Sequence, residues 1–240
     1  MLSKGEYDIL NRIVGYGGYV TKEILHLYRK DITQDRCYRI ICNLERKGYL
    51  RNRGYFVSHR EPNVYQVTKK ACAYFGRPEA YMRKVHKAFA MRRYLMRSHF
   101  LFNLAGQGES ISLFSSDERA TYVRKRGYSS YHLPKKINKD TISIQMEEYI
   151  LDTFTQDQSI TFLYVDNIRY SIVSQIYTLL NRYQRMLSAK IDVFHFIIAV
   201  ENDDRAYEFQ KIYKEKFENN NSLVNIKIES INRNYQCEIR

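Results

Sequence analysis

Polar side chains that offer paired hydrogen-bonding groups recur between residues 33 and 47 of the chain. An arginine can make two hydrogen bonds to the edge of a guanine, and a glutamine or asparagine can make two to an adenine. Apolar residues at helical spacing in the same segment indicate a helix that would leave these side chains facing outward. We expect Arg36 and Arg39 to matter most, whereas Tyr38 fits a domain core equally well. The candidates for contact with DNA bases are Gln34, Arg36, Tyr38, Arg39 and Asn43.

A second group of side chains could hold the phosphate backbone, which supplies affinity without sequence information. Thr33 begins the segment as a helix N-cap, and the cations after it would touch phosphate or enter the minor groove. Each of these cations alone is equally consistent with a solvated surface charge. The group as a whole supports contact with DNA more strongly than any one of its members does. The candidates are Thr33, Arg46, Lys47, Arg51, Arg53 and Arg60.

Side chains that contact DNA must be held by a folded domain, and the pattern of the first 77 residues predicts such a domain. Glycines at 15–18 end a first helix, and Thr21 and Thr33 each begin another. Gly48 closes the third helix, and Thr68 caps a fourth after an extended stretch. The order of helix, helix, helix, strand, loop, strand and helix is that of a winged helix-turn-helix. The predicted ranges are 4–14, 21–29 and 33–47 for three helices, 51–57 and 64–67 for the strands, and 69–75 for the last helix.

The positive charge of the chain lies in its first half. Residues 1–105 hold 21 Lys and Arg against 8 Asp and Glu, a net charge of +13, whereas residues 106–240 hold 18 of each. A charge confined to one half indicates that this half meets a polyanion. The division predicted is a winged-helix domain at 1–77, a long basic linker helix at 78–105 and a second domain at 106–240. The linker helix could join the domains, pair with a second copy in a homodimer, or lie along phosphate.

Residues 106–240 alternate between strand-sized apolar runs and amphipathic helical stretches. That alternation is typical of an α/β sheet with helical crossovers. The fold class predicted for the chain is therefore an α+β winged helix-turn-helix followed by an α/β domain. The predicted strands are 110–114, 128–133, 141–145, 160–165, 193–200 and 223–228, and the predicted helices are 168–187 and 203–217.

The stretch Thr161–Asn167 and the helix segment Leu179–Tyr183 carry a family resemblance. In the order of its elements the chain resembles the replication-relaxation family of bacterial plasmid and mobile-element proteins. Those proteins combine an N-terminal winged helix with a domain similar to the restriction-endonuclease fold, and related relaxases are thought to nick DNA with it. The family strand ends in an acidic pair around one residue, and here Tyr164 takes the first of those places while Asp166 keeps the second.

The chain departs from the family pattern in ways that bear on metal chemistry. Lys135-Lys136 follows Pro134 where a Pro-Asp pair is usual, and Asn181 or Arg182 stands near the expected lysine. Metal-assisted phosphodiester cleavage needs hard oxygen ligands converging on Mg²⁺, usually two or more carboxylates. The domain is therefore predicted to be non-catalytic, with no cofactor and no metal. If it does cleave DNA, Mg²⁺ is the cofactor and the catalytic candidates are Asp166, Glu148 and Asp152.

Other chemistries have weaker support in the sequence. There is no GxxxxGK[ST] phosphate loop and no GxSxG nucleophile elbow. Cys37, Cys42, Cys72 and Cys237 form no CxxC pair and fit reduced thiols in a cytoplasmic protein. No stretch has the length and apolar character of a transmembrane helix, so no membrane partner is expected.

These observations predict a cytoplasmic protein that binds double-stranded DNA. The family resemblance implies a mobile genetic element, with a role in transcription regulation or in plasmid replication or mobilisation. Two alternatives stay open, a Mg-dependent DNA-nicking relaxase or endonuclease and a winged-helix adaptor that binds another protein.

Overall fold

The chain folds as an α+β protein with two compact units. Unit 1 comprises Met1–Ser112 together with Arg233–Arg240, and unit 2 comprises Leu113–Asn232. The computed structural model describes residues 1–53, 55–57, 64–77, 88–109, 111, 113–114, 116–138, 141–144, 146, 148–151, 159–218, 224–233 and 237–239.

The helices of unit 1 begin where short hydroxyl side chains can cap them. The side chains of Thr21, Thr33 and Thr68 each accept a hydrogen bond from a backbone N–H in the first turn, which confirms the three predicted caps. Ser3 and Glu6 form a capping box at the first helix, where each side chain binds the other's backbone N–H. The helices are α1 Lys4–Gly15, α2 Lys22–Tyr28, α3 Gln34–Arg46, α4 Lys69–Tyr74 and α5 Ala88–Gly106.

The strands of unit 1 form two separate antiparallel pairings. The first is a three-stranded sheet in the order β1-β4-β2, and the second joins β3 to the C-terminal strand β11. The predicted strand at 51–57 is therefore wrong as one element, because its two halves pair with different partners. The strands are β1 Tyr19–Val20, β2 Leu50–Asn52, β3 Tyr55–Val57, β4 Tyr65–Val67 and β11 Cys237–Ile239.

Helix α5 packs into the core of unit 1 against α2 and β1. Its Ser98 hydroxyl donates to the carbonyl of Tyr19 at 2.8 Å, and Arg97 donates to the carbonyl of Gly17 at 3.3 Å. Arg97, one of the basic residues of the predicted linker helix, is only 2% exposed. Gly106 lets α5 approach α2 closely, since a Cβ at that position would lie 2.0 Å from the carbonyl oxygen of Leu27.

The predicted boundaries at residues 77 and 105 stay predictions. The contacts divide the chain between Ser112 and Leu113 and group α5 and the C-terminal residues with unit 1. The first part of the predicted linker helix, residues 78–87, lies outside the described residues.

Unit 2 is built on a four-stranded sheet in the order β10-β9-β8-β7. Strands β8, β9 and β10 are parallel and are joined by α7 and α8, while β7 pairs antiparallel with β8. Most residues of β8 and β9 are buried, which is why these strands read as strand-sized apolar runs. The elements are α6 Ser116–Lys125, α7 Ile172–Ser188, α8 Asp203–Lys216, β5 Lys135–Asn138, β6 Thr141–Ile144, β7 Tyr149–Ile150, β8 Ser159–Val165, β9 Val193–Val200 and β10 Val224–Ser230.

The core of unit 2 is rich in aromatic rings. Phe162 stacks on Phe196 with ring centroids 5.0 Å apart, and Tyr183 of α7 packs against both. Alternate strand residues supply these rings because side chains one residue apart point to opposite faces of a sheet. Helices α7 and α8, which β9 connects in the chain, also pack against each other.

The parallel strand–helix–strand order predicted for this unit is confirmed, and three of its details are wrong. Residues 128–133 form turns rather than a strand. Helix α7 begins at Ile172 rather than 168, because Ser171 caps it. In the described part of 110–114 only Leu113 pairs, through an isolated bridge to Leu151.

No described helix in either unit combines the length and the apolar character needed to cross a lipid bilayer.

Candidate nucleic-acid interface

Helix α3 has one buried face and one exposed cationic face. Cys37, Ile41 and Leu44 are fully buried. The opposite face presents Arg36 and Arg39 to solvent, with Gln34 beside them in the first turn. A polar face of this kind on a helix anchored by the other face is available to a macromolecular partner.

Within the part of the chain that the structure describes, Arg36 and Arg39 are available to bind an anion. Among the described residues neither guanidinium makes an ion pair or a side-chain hydrogen bond. Asp31 is near enough to feel the charge of Arg36, but Arg29 already holds it with two hydrogen bonds of 2.7 Å. The hydrogen bonds from Arg29 lower the pKa of Asp31 from 3.8 to about 2. Asp31 is thus occupied by another arginine.

The N-cap candidate Thr33 and the base-contact candidate Tyr38 lie at the N-terminal end of the same helix. The hydroxyl of Thr33 accepts a hydrogen bond of 3.3 Å from the backbone N–H of Arg36, so it caps the helix. Tyr38, which fitted core or surface equally well, is 38% exposed and belongs to the outer face.

The C-terminal end of α3 is tied to α1 by a single carboxylate. Glu6 accepts hydrogen bonds from the ammonium of Lys47 at 2.7 and 2.8 Å and from the side-chain amide of Asn43. Arg46 in turn donates to Asn43. Burial would raise the pKa of Glu6, but the hydrogen bonds from Lys47 and Ser3 outweigh it and lower the pKa from 4.5 to about 2. Lys47 and Asn43 therefore help to position α3, whereas the side chain of Arg46 is exposed.

The strand that follows α3 carries the remaining described candidates. Arg51 is exposed and donates to the side-chain oxygen of Gln66 at 3.3 Å. Arg53 is half-buried, and its backbone N–H donates to the carbonyl of Val64 at 2.9 Å. The backbone of Asn52 donates to the Glu45 carboxylate at 2.9 Å, which joins β2 to α3. Arg60 lies outside the described residues.

Asp166, the first nuclease candidate, follows β8 and is 1% exposed. Its Oδ2 accepts a hydrogen bond from Nε of Arg205 at 2.9 Å, and its Oδ1 accepts one from Nε2 of Gln175 at 2.9 Å. The hydroxyl of Tyr164, which stands in the first acidic place, donates to the side-chain oxygen of Gln175 at 2.7 Å. A carboxylate neutralised by a guanidinium in this way attracts a metal cation weakly.

Glu148, the second nuclease candidate, is held in a similar way. Its side chain is fully buried, with Arg182 bound to Oε1 and the hydroxyl of Tyr183 donating to Oε2 at 2.7 Å. Burial, reinforced by the charge of Glu148, raises the pKa of Tyr183. Asp152 lies outside the described residues. Within the described ranges no three His, Cys, Asp or Glu side chains come together as a metal site.

Sequence reasoning missed the residues that position these groups. The sequence around Glu6 does contain a local signal, because Ser3 and Glu6 have the spacing of a capping box at a helix N-terminus. The pairing of Arg205 with Asp166 joins residues 39 positions apart and has no such signal.

Comparison with known proteins adds little to this geometry. No family model and no curated protein matches the chain. One solved structure that aligns with it is TrmBL2, described as an archaeal chromatin protein with a novel mode of DNA binding. The alignment covers 95% of this chain and 72% of that one, with 11% sequence identity and a TM-score of 0.22. A TM-score this low supports no inference about the fold or function of the chain.

Proposed function

We propose that unit 1 is a winged helix-turn-helix that binds double-stranded DNA. Helices α1, α2 and α3 precede strands β2 and β4 in the chain, β1 of the same antiparallel sheet lies between α1 and α2, and α2 packs against α3. In this arrangement α3 is the recognition helix that enters the major groove, and the strands after it lie beside the phosphate backbone.

The observation that carries the proposal is that Arg36 and Arg39 are exposed and that neither guanidinium is paired with any described residue. Other described arginines of the chain, such as Arg12 and Arg29, are bound to carboxylates. A guanidinium on a helix face can bind guanine through two hydrogen bonds or hold a phosphate. Exposed Arg46 and Arg51 extend the positive surface and would contact phosphate.

Unit 2 is proposed to be non-catalytic. The support is that Asp166 and Glu148, the described carboxylates a nuclease would need, are each bound by an arginine and a neutral donor. The nicking alternative predicts that supercoiled plasmid becomes open-circular with Mg²⁺ and that Asp166→Ala abolishes the conversion. The setting in a mobile genetic element, with a role in transcription or plasmid replication, rests on the sequence resemblance alone.

The proposal is tested by the salt dependence of duplex binding. The full chain is titrated into a fluorescein-labelled random-sequence duplex, and anisotropy is measured at several KCl concentrations. Neutralised phosphates release counterions, so log K should fall linearly with log[KCl], by about 0.9 for each phosphate contact. Absent or salt-insensitive binding would overturn DNA binding and favour a protein-binding adaptor.

A further inference from the structure

Unit 2 contains a local basic run that its overall charge balance conceals. Residues 124–139 carry no Asp or Glu, although residues 106–240 as a whole contain equal numbers of acidic and basic side chains. The run connects α6 to the β5 strand and includes two tyrosines and a histidine. Its basic residues are Arg124, Lys125, Arg126, Lys135, Lys136 and Lys139.

The middle of this run is a turn whose two ends are anchored in the core of unit 2. Tyr128 is buried and packs against Phe194 with ring centroids 6.4 Å apart, and Leu133 is buried at the other end. Between them the backbone N–H of Ser129 donates to Nδ1 of His132 at 3.1 Å. The turn is therefore fixed in place by its own hydrogen bond and by two core anchors.

The fixed turn presents an exposed aromatic ring with two cations close to it. Tyr131 is 63% exposed. The guanidinium of Arg185, from α7, lies 4.8 Å from the centre of its ring, and the ammonium of Lys135 lies 6.0 Å away. Arg126, in the same run, is instead bound to buried Asp192. Two separate elements thus bring positive charge to one exposed aromatic side chain.

We infer that the Tyr131, Lys135 and Arg185 surface binds single-stranded DNA. An unpaired base would stack on the Tyr131–Arg185 pair, and the phosphates on either side of it would contact the two cations. Exposed aromatic rings flanked by positive charge bind single strands in this way, because every base has a π face. The inference goes beyond duplex binding by unit 1, and only its choice of DNA over RNA rests on the proposed function.

The test compares single-stranded and duplex binding by variants of the full chain. Labelled oligothymidylate and a labelled duplex are titrated separately by anisotropy. Tyr131→Ala should weaken single-strand binding by on the order of tenfold, whereas Tyr131→Phe keeps the ring and should retain it. Arg185→Ala should also weaken it. Duplex binding should be unchanged in all three.

Tyr207 provides the matched control. It is 68% exposed on α8, and among the described contacts no cation lies over its ring. Tyr207→Ala should leave single-strand binding unchanged. Thermal unfolding followed by circular dichroism verifies that each variant is folded.

Three results would overturn the inference. These are equal losses for Tyr131→Ala and Tyr207→Ala, no binding of oligothymidylate by the unaltered chain, or tighter binding of oligouridylate than of oligothymidylate. Failure of the duplex proposal would look different, since Arg36→Ala/Arg39→Ala would then leave duplex binding unchanged while Tyr131→Ala still reduced single-strand binding.

Discussion

The exposed arginines of α3 and the paired arginines of α7 and α8 have opposite environments. Arg36 and Arg39 are exposed and have no described carboxylate bound to them. Arg205 and Arg182 are mostly covered, and each is bound to a carboxylate that has no exposed side-chain surface. Arginine therefore serves as an exposed cation with no described partner in one unit and as the partner of a buried carboxylate in the other.

The difference shows that the number of charges in a segment does not give the number available to a partner. In unit 2 the arginines offset the cost of burying carboxylates, which would otherwise be several kcal/mol for each ion. On α3 the basic side chains outnumber the acidic ones, so some remain available to an external anion.

Removal of Arg205 should cause the largest loss of stability. Arg205→Met leaves Asp166 buried without its guanidinium, and breaking a buried pair from one side costs about 3–5 kcal/mol. Urea unfolding followed by circular dichroism gives the change in the free energy of unfolding. Arg36→Met is the matched control and should change that free energy by less than about 0.5 kcal/mol. Equal effects of the two variants would remove the contrast.

His99 extends the comparison to a titratable group in the core of unit 1. Burial, and to a lesser degree the charge of Arg233, lower the pKa of His99 from 6.5 to about 4. The unfolded chain binds a proton below pH 6.5 and the folded chain only below about pH 4. Stability is therefore lost as the pH falls, by about 2 kcal/mol between pH 7 and 5. Urea unfolding at several pH values should show this slope, and His99→Gln should flatten it. A slope unaffected by the substitution would refute the assignment.

Tyr183→Phe tests how much a neutral hydrogen-bond donor contributes to the stability of the buried Glu148–Arg182 ion pair. The substitution removes the hydroxyl that donates to Glu148 at 2.7 Å but leaves Arg182 in place. We expect a loss of about 1–3 kcal/mol in the free energy of unfolding, because one oxygen of a buried carboxylate loses its donor. The loss should be smaller than that caused by Arg205→Met, and the opposite ranking would mean that the arginine pairs are not dominant in unit 2.

Glu6→Gln should give the smallest effect, and it acts within unit 1. The substitution removes the negative charge that holds Lys47, so one more cation becomes available to phosphate. Duplex affinity should rise by roughly twofold to fivefold, with a salt dependence steeper by about one phosphate contact. Anisotropy at several salt concentrations measures both quantities. A fall in affinity would instead show that the position of α3, set by Glu6, matters more than the additional charge.

Helix caps and apolar spacing, which act between neighbouring residues, predicted most helices and strands. The errors in the prediction came from contacts between residues far apart in the chain. Thr33 is a good N-cap for chemical reasons that act within one turn, so the start of α3 was predictable. The burial of Arg97 and the pairing of β3 with β11 depend on residues far away in the chain, for which periodicity gives no signal. The same division holds for the candidate site. The exposed face of α3 follows from the helical spacing of its apolar residues, so it could be predicted. The binding of Lys47 and Asn43 by Glu6 depends on how α1 packs against α3, so it could not.

The most direct measurement of the central claim compares two pairs of charges by duplex affinity. Arg36→Ala/Arg39→Ala removes two cations from α3, and Lys211→Ala/Lys214→Ala removes two exposed cations from α8, so the net charge changes equally. We predict that the first variant weakens binding by on the order of a hundredfold, and the second by less than about threefold. Equal losses in the two variants would contradict the account, because affinity would then follow net charge rather than the free arginines of α3.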